Sequence, residues 1–178
     1  DFPRPLHLAR ARGAVADGRV VGCDLDTISP SLVRSWFGRV FFVPPGPDVM
    51  LAWGAFDQPY AIPNYRVTGY AAPQLMPIGS WRSPGACSNS FFHEGFLSEL
   101  IHAAGDDPLA ERLRLIDDAD SRRVLEAVGE MSNWSGADIG AGRGRGIAFA
   151  HTHGVPVAEV IDVTMTDSGL RIDDVWIA

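Results

Sequence analysis

Lysine is absent from this chain, and all fifteen basic residues are arginine. That removes lysine Schiff-base chemistry and any P-loop lysine, while the bias itself reads as base composition of the gene rather than as function. Cysteine is scarce too. Cys23 and Cys87 are too few for a disulfide scaffold, have no CxxC spacing, and assign no redox compartment. Positive charge is in deficit, with a formal net charge of -7, which argues against a nucleic-acid or anionic-membrane partner because either needs clustered basic residues. No apolar run is long enough to span a bilayer. The opening Asp1-Phe2-Pro3-Arg4-Pro5 has neither an initiator methionine nor the pattern of a signal peptide, and Val175-Trp176-Ile177-Ala178 closes on an apolar, strand-like run. The expectation is a processed chain or an internal piece of something larger. Otherwise the totals are ordinary: 178 residues, 46% hydrophobic and 21% charged, are enough for a real core.

What is present is organised around Pro77 to Ser90, where two glycines, two prolines and several small or hydroxyl residues surround Trp81 and Arg82. Such a stretch makes a shaped loop. Gly79 and Gly85 permit positive φ and close backbone approach, so the amides between them can converge on one ligand. The plainer reading, with Trp81 in the core and Arg82 satisfying local carbonyls, is favoured by the local pattern alone. Behind the loop, Ser88, Asn89 and Ser90 are N-cap types. Phe92, Phe96, Leu97, Leu100, Ile101 and Ala104 then form one helical face, with His93, Glu94, Ser98, Glu99 and His102 on the others. Gly105 ends this helix, Asp107-Pro108 starts a second, and Asp117-Asp118 caps a third with Val124, Leu125, Val128 and Met131 on its apolar stripe.

Strands are expected on both sides of the helices. Leu6 to Val15 and Val20 to Ile28 read as a hairpin through Asp17-Gly18. Ser29-Pro30-Ser31 ends it, and 32–42 is open between a short helix and irregular structure. Pro44-Pro45-Gly46-Pro47 reads as a surface loop. Tyr65 to Ala72 reads as a strand, Ser135 to Gly146 as a glycine-rich connector, and Ile147 to His151, Val155 to Met165 and Leu170 to Ile177 as strands. The fold class is therefore α+β, with antiparallel strands at both ends of the chain packed against about three central helices, in one domain over residues 1–178.

Several apparent motifs fail on context. Gly140 to Gly146 is glycine-rich like a dinucleotide fingerprint, but it follows a helix and opens a strand, the reverse of what that fingerprint needs. His151 and His153, two apart, would share one face of a strand and could chelate a metal, but a third ligand is not evident nearby. His93 and His102 are nine apart on a helix and do not make a site together. Ser83 lacks the first glycine of a nucleophile elbow. Of the carboxylate pairs Asp106-Asp107, Asp117-Asp118 and Asp173-Asp174, helix capping explains the first two.

Taken in order, Gly79-Ser80-Trp81-Arg82-Ser83-Pro84-Gly85, Asn89-Ser90-Phe91, Glu94, Ser98-Glu99-Leu100 and Gly105-Asp106-Asp107-Pro108-Leu109 with Arg112 resemble the large, molybdenum-binding subunit of the xanthine dehydrogenase and aldehyde oxidase family. The branch it resembles is the isoquinoline 1-oxidoreductase or membrane-bound aldehyde dehydrogenase type. Asp17-Gly18-Arg19, Gly54-Ala55-Phe56-Asp57, Pro59-Tyr60 and Arg143 to Ala148 extend the resemblance over nearly the whole chain. The resemblance implies that Gly79, Ser80, Trp81, Arg82 and Ser83 lie against a molybdenum-molybdopterin cofactor, with Arg82 near the metal's ligands. Trp81 takes the aromatic place of the familiar Gly-Ala-Phe-Arg-Gly-Phe-Gly loop, whereas Ser83 and Pro84 depart from it. It also implies oxidation of an aldehyde or N-heterocycle with oxygen from water, an iron-sulfur subunit or domain as electron acceptor, and a glutamate base in a glycine-rich motif that has no match here. The expectation is thus an internal fragment of a larger subunit, one wall of the cofactor site, inactive alone and binding no cofactor by itself. Its partners would be the rest of the large subunit, the iron-sulfur component and a small-molecule substrate, with no nucleic acid. The alternative is a non-catalytic binding or scaffold module of the same fold. A small hydrolase or metal protein using Ser83 or His151 and His153 is disfavoured.

Overall fold

The computed structural model describes residues 3–43 and 46–178; Pro44 and Pro45 of the expected surface loop lie outside the described residues, while Gly46 and Pro47 are exposed. Strand β1 (Leu8–Ala16) and strand β2 (Arg19–Pro30) form the expected antiparallel hairpin. Its turn is Asp17-Gly18, with both φ values positive, at 51° and 71°. That conformation matches the right-handed twist of the flanking strands. Helix α1 (Leu32–Phe37) follows, capped by the Ser31 hydroxyl on the Arg34 amide, and a single 3-10 turn covers Val49–Leu51.

Strand β3 (Asn64–Ala72) pairs parallel to β2, so this first sheet is mixed and has the order β1-β2-β3. Arg66 clamps Asp24 across the pair through Nε at 2.9 Å and Nη2 at 2.5 Å. Three helices then follow, as expected: α2 (Ala86–Ala104), α3 (Pro108–Leu115) and α4 (Ala119–Met131). Gly105 ends α2 in the left-handed region, Asp107 accepts from the amides of Leu109 and Ala110, and Asp118 accepts from Ser121. Strands β4 (Arg143–Thr152), β5 (Val155–Thr166) and β6 (Gly169–Ile177) form a second, antiparallel sheet. β4 begins inside the expected connector, because Arg143 to Gly146 pair with β5 from Thr164 to Ile161.

Helix α2 touches both sheets and supplies Leu97, Leu100 and Ile101 to the core, where they meet Val20 and Cys23 from the hairpin. Leu125 and Val128 of α4 bring Ala158 and Val160 of β5 into the same cluster. Arg145 ties the segment just after α4 to the second sheet. Its guanidinium grips Asp162 at 2.6 and 2.8 Å and lies over the rings of Trp134 and Trp176, at 6.0 and 5.5 Å from their centroids. No helix among the described residues is long and apolar enough to cross a membrane.

Candidate functional site

The loop ahead of α2 is pinned at both ends and open in the middle. At its start Ile78 is buried, its amide donating to the Ser35 hydroxyl and its carbonyl accepting from Ser35 and from Arg39. The Gly79 amide donates to the Pro3 carbonyl at 2.9 Å. At its end Gly85 has φ +76°, and a Cβ there would stand 2.1 Å from the Met50 carbonyl oxygen. Only glycine fits so close an approach.

Helix α2 begins immediately after, at Ala86, with Gly85 at the N-cap and no side-chain cap. The expected caps Asn89 and Ser90 sit inside the helix and hold the preceding segment instead. Asn89 Nδ2 donates to the carbonyls of Leu51 and Trp53 at 3.0 and 2.9 Å, and Ser90 Oγ to that of Gly54. In the first turn of α2 the Cys87 amide donates to the Ser83 carbonyl at 3.1 Å, no side chain caps the helix, and the positive end of its dipole faces the loop.

Between the pins, Trp81 is 66% exposed and Arg82 is exposed as well, which corrects the plainer reading that put Trp81 in the core and Arg82 on local carbonyls. Among the described residues, the amides of Ser80 to Ser83 donate to no acceptor and Arg82 pairs with no carboxylate. Of the two glycines expected to reach positive φ, Gly85 does; Ser83, at φ +55°, takes the second such turn rather than Gly79. Gly79, Trp81, Arg82, Ser83 and Gly85 line a recess of ≈ 20 Å³ together with Arg4 and His7. Arg4 reaches over the Trp81 ring at 6.0 Å from its centroid. His7 Nδ1 is buried without a partner among the described residues, and burial pushes the imidazole pKa down. No pattern in the sequence singles out Arg4 or His7, since their place here depends on the chain's amino-terminal segment folding back over the loop. A volume of that size takes about one water-sized group. The donor set suits an anion or a partly negative oxygen, and it forms one side of a site rather than a closed pocket.

Behind the loop's helix lies a buried ionic cluster. Glu94 and His93, expected on outer faces of α2, are both buried. Glu94 Oε2 accepts from Arg112 Nε at 3.1 Å and from the Phe149 amide at 2.9 Å. Arg112 also donates to the Ser98 hydroxyl and the Pro108 carbonyl, while Glu94 Oε1 stands 3.4 Å from His93 Nδ1. Tyr60 stacks on His93 with ring centroids 5.4 Å apart. Burial alone would raise the Glu94 pKa; Arg112, His93 and the Phe149 amide outweigh it and hold the carboxyl down at about 2. The same burial lowers the Arg112 pKa, but Glu94 more than compensates and raises it. The cluster locks α2, α3 and β4 together. The Glu94–Arg112 pair, bonded through Oε2 and to the Phe149 amide, suits a structural role better than proton transfer.

The other sequence candidates separate. His151 lies on β4 but His153 sits in the β4–β5 turn with φ +56°, so they do not share a strand face. No cluster of metal-ligating side chains occurs among the described residues. Asp106 pairs with Arg19, and Asp173 with Arg171 and Thr164.

Comparisons with known proteins point in one direction. No family model matches the chain. A nicotinate dehydrogenase subunit of Pseudomonas putida is 31% identical over 153 residues, covering 78% of this chain and 13% of its own length. The beta subunit of isoquinoline 1-oxidoreductase from Brevundimonas diminuta is 24% identical over 157 residues, 81% of this chain and 20% of that protein. Among solved structures, an aldehyde oxidoreductase from Desulfovibrio gigas superposes with a TM-score of 0.52 at 18% identity, over 95% of this chain and 21% of that one. At that identity the superposition shows a shared fold. The chain therefore spans between an eighth and a quarter of the proteins it matches.

Proposed function

We propose that this chain, similar to a nicotinate dehydrogenase subunit and to an isoquinoline 1-oxidoreductase subunit, is an internal portion of a molybdenum hydroxylase large subunit, supplying one wall of a molybdenum-molybdopterin site and inactive by itself. The observation that carries the reading is the Gly79–Gly85 loop: pinned at Ile78 and at Gly85, with Ser80 to Ser83 amides free among the described residues and Arg82 unpaired beside the uncapped start of α2. Free amides, a helix N-terminus and a guanidinium converge on negative charge, which is what the oxygen and sulfur ligands of such a centre and its pterin phosphate present. Gly79, Ser80, Trp81, Arg82 and Ser83 would hold the group. When bound, it would supply the oxidation of an aldehyde or N-heterocycle with water-derived oxygen.

This chain's own residues would position and neutralise. The amides need no reorganisation because both loop ends are fixed. Trp81 would shield one side of the site from water. The ≈ 20 Å³ recess leaves the remaining walls to other parts of the large polypeptide, and an iron-sulfur subunit or domain would take the electrons. The test is Arg82→Ala in the complete gene product, made in a host able to assemble the cofactor. Molybdenum per protein should fall several-fold while the circular dichroism spectrum stays unchanged. Undiminished molybdenum content would overturn the assignment of this loop.

A further inference from the structure

The second sheet carries a groove that the loop does not use. Ala158 and Val160 of β5 are in the core with Leu125 and Val128, so the intervening Val157, Glu159 and Ile161 lie on the opposite face of the sheet. On that face a hollow of ≈ 360 Å³ runs between Phe91 and Gly95 of α2, Ala148 and Ala150 of β4, and Val157 and Glu159 of β5. A second hollow of ≈ 200 Å³ adjoins it, sharing Ala148 and Glu159. The walls are small or apolar. A Cβ added at Gly95 or Gly146 would meet nothing within 4 Å, so the groove is open along both sides.

Glu159 is out of keeping with these walls. Its cross-strand neighbours are Ala148 and Ile177. The arginines of this sheet are already committed, Arg143 and Arg145 to Asp162 and Arg171 to Asp173. Glu94, at the floor, is neutralised by Arg112. Among the described residues Glu159 is thus the uncompensated charge of the groove, and an occupant that covers it must bring a cation or bury a bare carboxylate. The occupant's backbone is also constrained. Along this stretch the outward amides of β4 are already bonded, Phe149 to Glu94 Oε2 at 2.9 Å and His151 to Gln58 Oε1 at 3.2 Å. An added strand would find its partners taken, whereas a helix that docks by side chains needs none of them.

We propose that this groove seats an apolar helix carrying one basic side chain opposite Glu159, and that the helix comes from the same large-subunit polypeptide, outside residues 1–178. The proposal rests on the reading of this chain as part of a longer subunit, since the relatives have 80% or more of their length outside the matched region. The test uses the complete gene product with the photo-crosslinking residue p-benzoylphenylalanine placed at Val157, followed by mass-spectrometric mapping and by molybdenum analysis of the same sample. The expected product is an intramolecular cross-link to a helical segment beyond this chain that bears Arg or Lys. Glu159→Arg should lower its yield about tenfold through like-charge repulsion, and Glu159→Gln less. A cross-link to a second copy or to another polypeptide, no cross-link, or a yield indifferent to Glu159→Arg would overturn the inference. Loaded molybdenum with a failed cross-link sinks this proposal alone, whereas a gene product that ends at Ala178 or never loads molybdenum sinks the underlying reading.

Discussion

Replacing Glu94 by glutamine would leave the Arg112 guanidinium, which has no exposed surface of its own, without a counter-charge in the centre of the fold. Breaking one side of a buried, hydrogen-bonded pair costs about 3–5 kcal/mol, because the surviving ion keeps its desolvation penalty. The pKa of Glu94 gives a second route to the size. Held down from 4.5 to about 2, the carboxyl contributes about 3 kcal/mol of folded-state preference for its ionised form. Because the folded value is the lower one, that contribution is complete above about pH 5 and drains away as pH falls through 4 to 2.

Urea unfolding at pH 7 should therefore show Glu94→Gln destabilised by about 3–5 kcal/mol, or by about 6–20 °C in Tm for a chain of this size. Arg112→Met should cost a similar amount. The double variant Glu94→Leu/Arg112→Met should recover much of the loss, since two apolar groups replace both ions. Acid titration adds an independent check: between pH 5 and pH 2 the parent chain should lose about 3 kcal/mol more than Glu94→Gln does. Single variants within about 1 kcal/mol of the parent, or identical acid slopes, would refute the reasoning.

Gly85→Ala should cost about 2–3 kcal/mol, read from the urea midpoint, because the new Cβ meets the Met50 carbonyl and the φ is left-handed. Arg82→Ala in the isolated chain should change stability by no more than about 0.5 kcal/mol, an exposed side chain with no partner among the described residues being lost; a larger loss by thermal melting would mean that Arg82 is structural. Arg145→Lys should cost about 1–3 kcal/mol by chemical denaturation, since a lysine cannot keep both the two-point grip on Asp162 and the stacking on Trp134 and Trp176.

Local chemistry was legible in the sequence where one residue acts on its neighbours. Asp17-Gly18 made the hairpin turn, Asp107 and Asp118 capped their helices, and Gly105 stopped α2. Long-range pairing was not. Nothing between Tyr65 and Ala72 says that β3 runs parallel to β2, because the register is set across a long intervening excursion. Gly144 and Gly146 looked like connector residues, yet they lie in β4, where the β5 ladder supplies the order that their own side chains cannot.

The start of α2 was misplaced for a similar reason. Asn89 has the chemistry of a cap, but its amide is used on the Leu51 and Trp53 carbonyls, which only the folded 49–54 segment brings within reach. Glu94 fell on the wrong face by charge. Its counter-ion is on the next helix, and the periodicity of a single helix cannot show a pair of that kind. In the loop, Gly85 takes the positive φ that its position suggests, whereas Ser83 takes the one expected of Gly79, and Arg4 and His7 join the loop only through folding of the amino-terminal segment.

The central claim, that this chain is one wall of a molybdenum site, is tested most directly by molybdenum and pterin analysis. The complete gene product and the 178-residue chain should be purified side by side from a host that makes the cofactor. The account predicts molybdenum and pterin in the long form and neither in the short one. Neither component in the long form would contradict it.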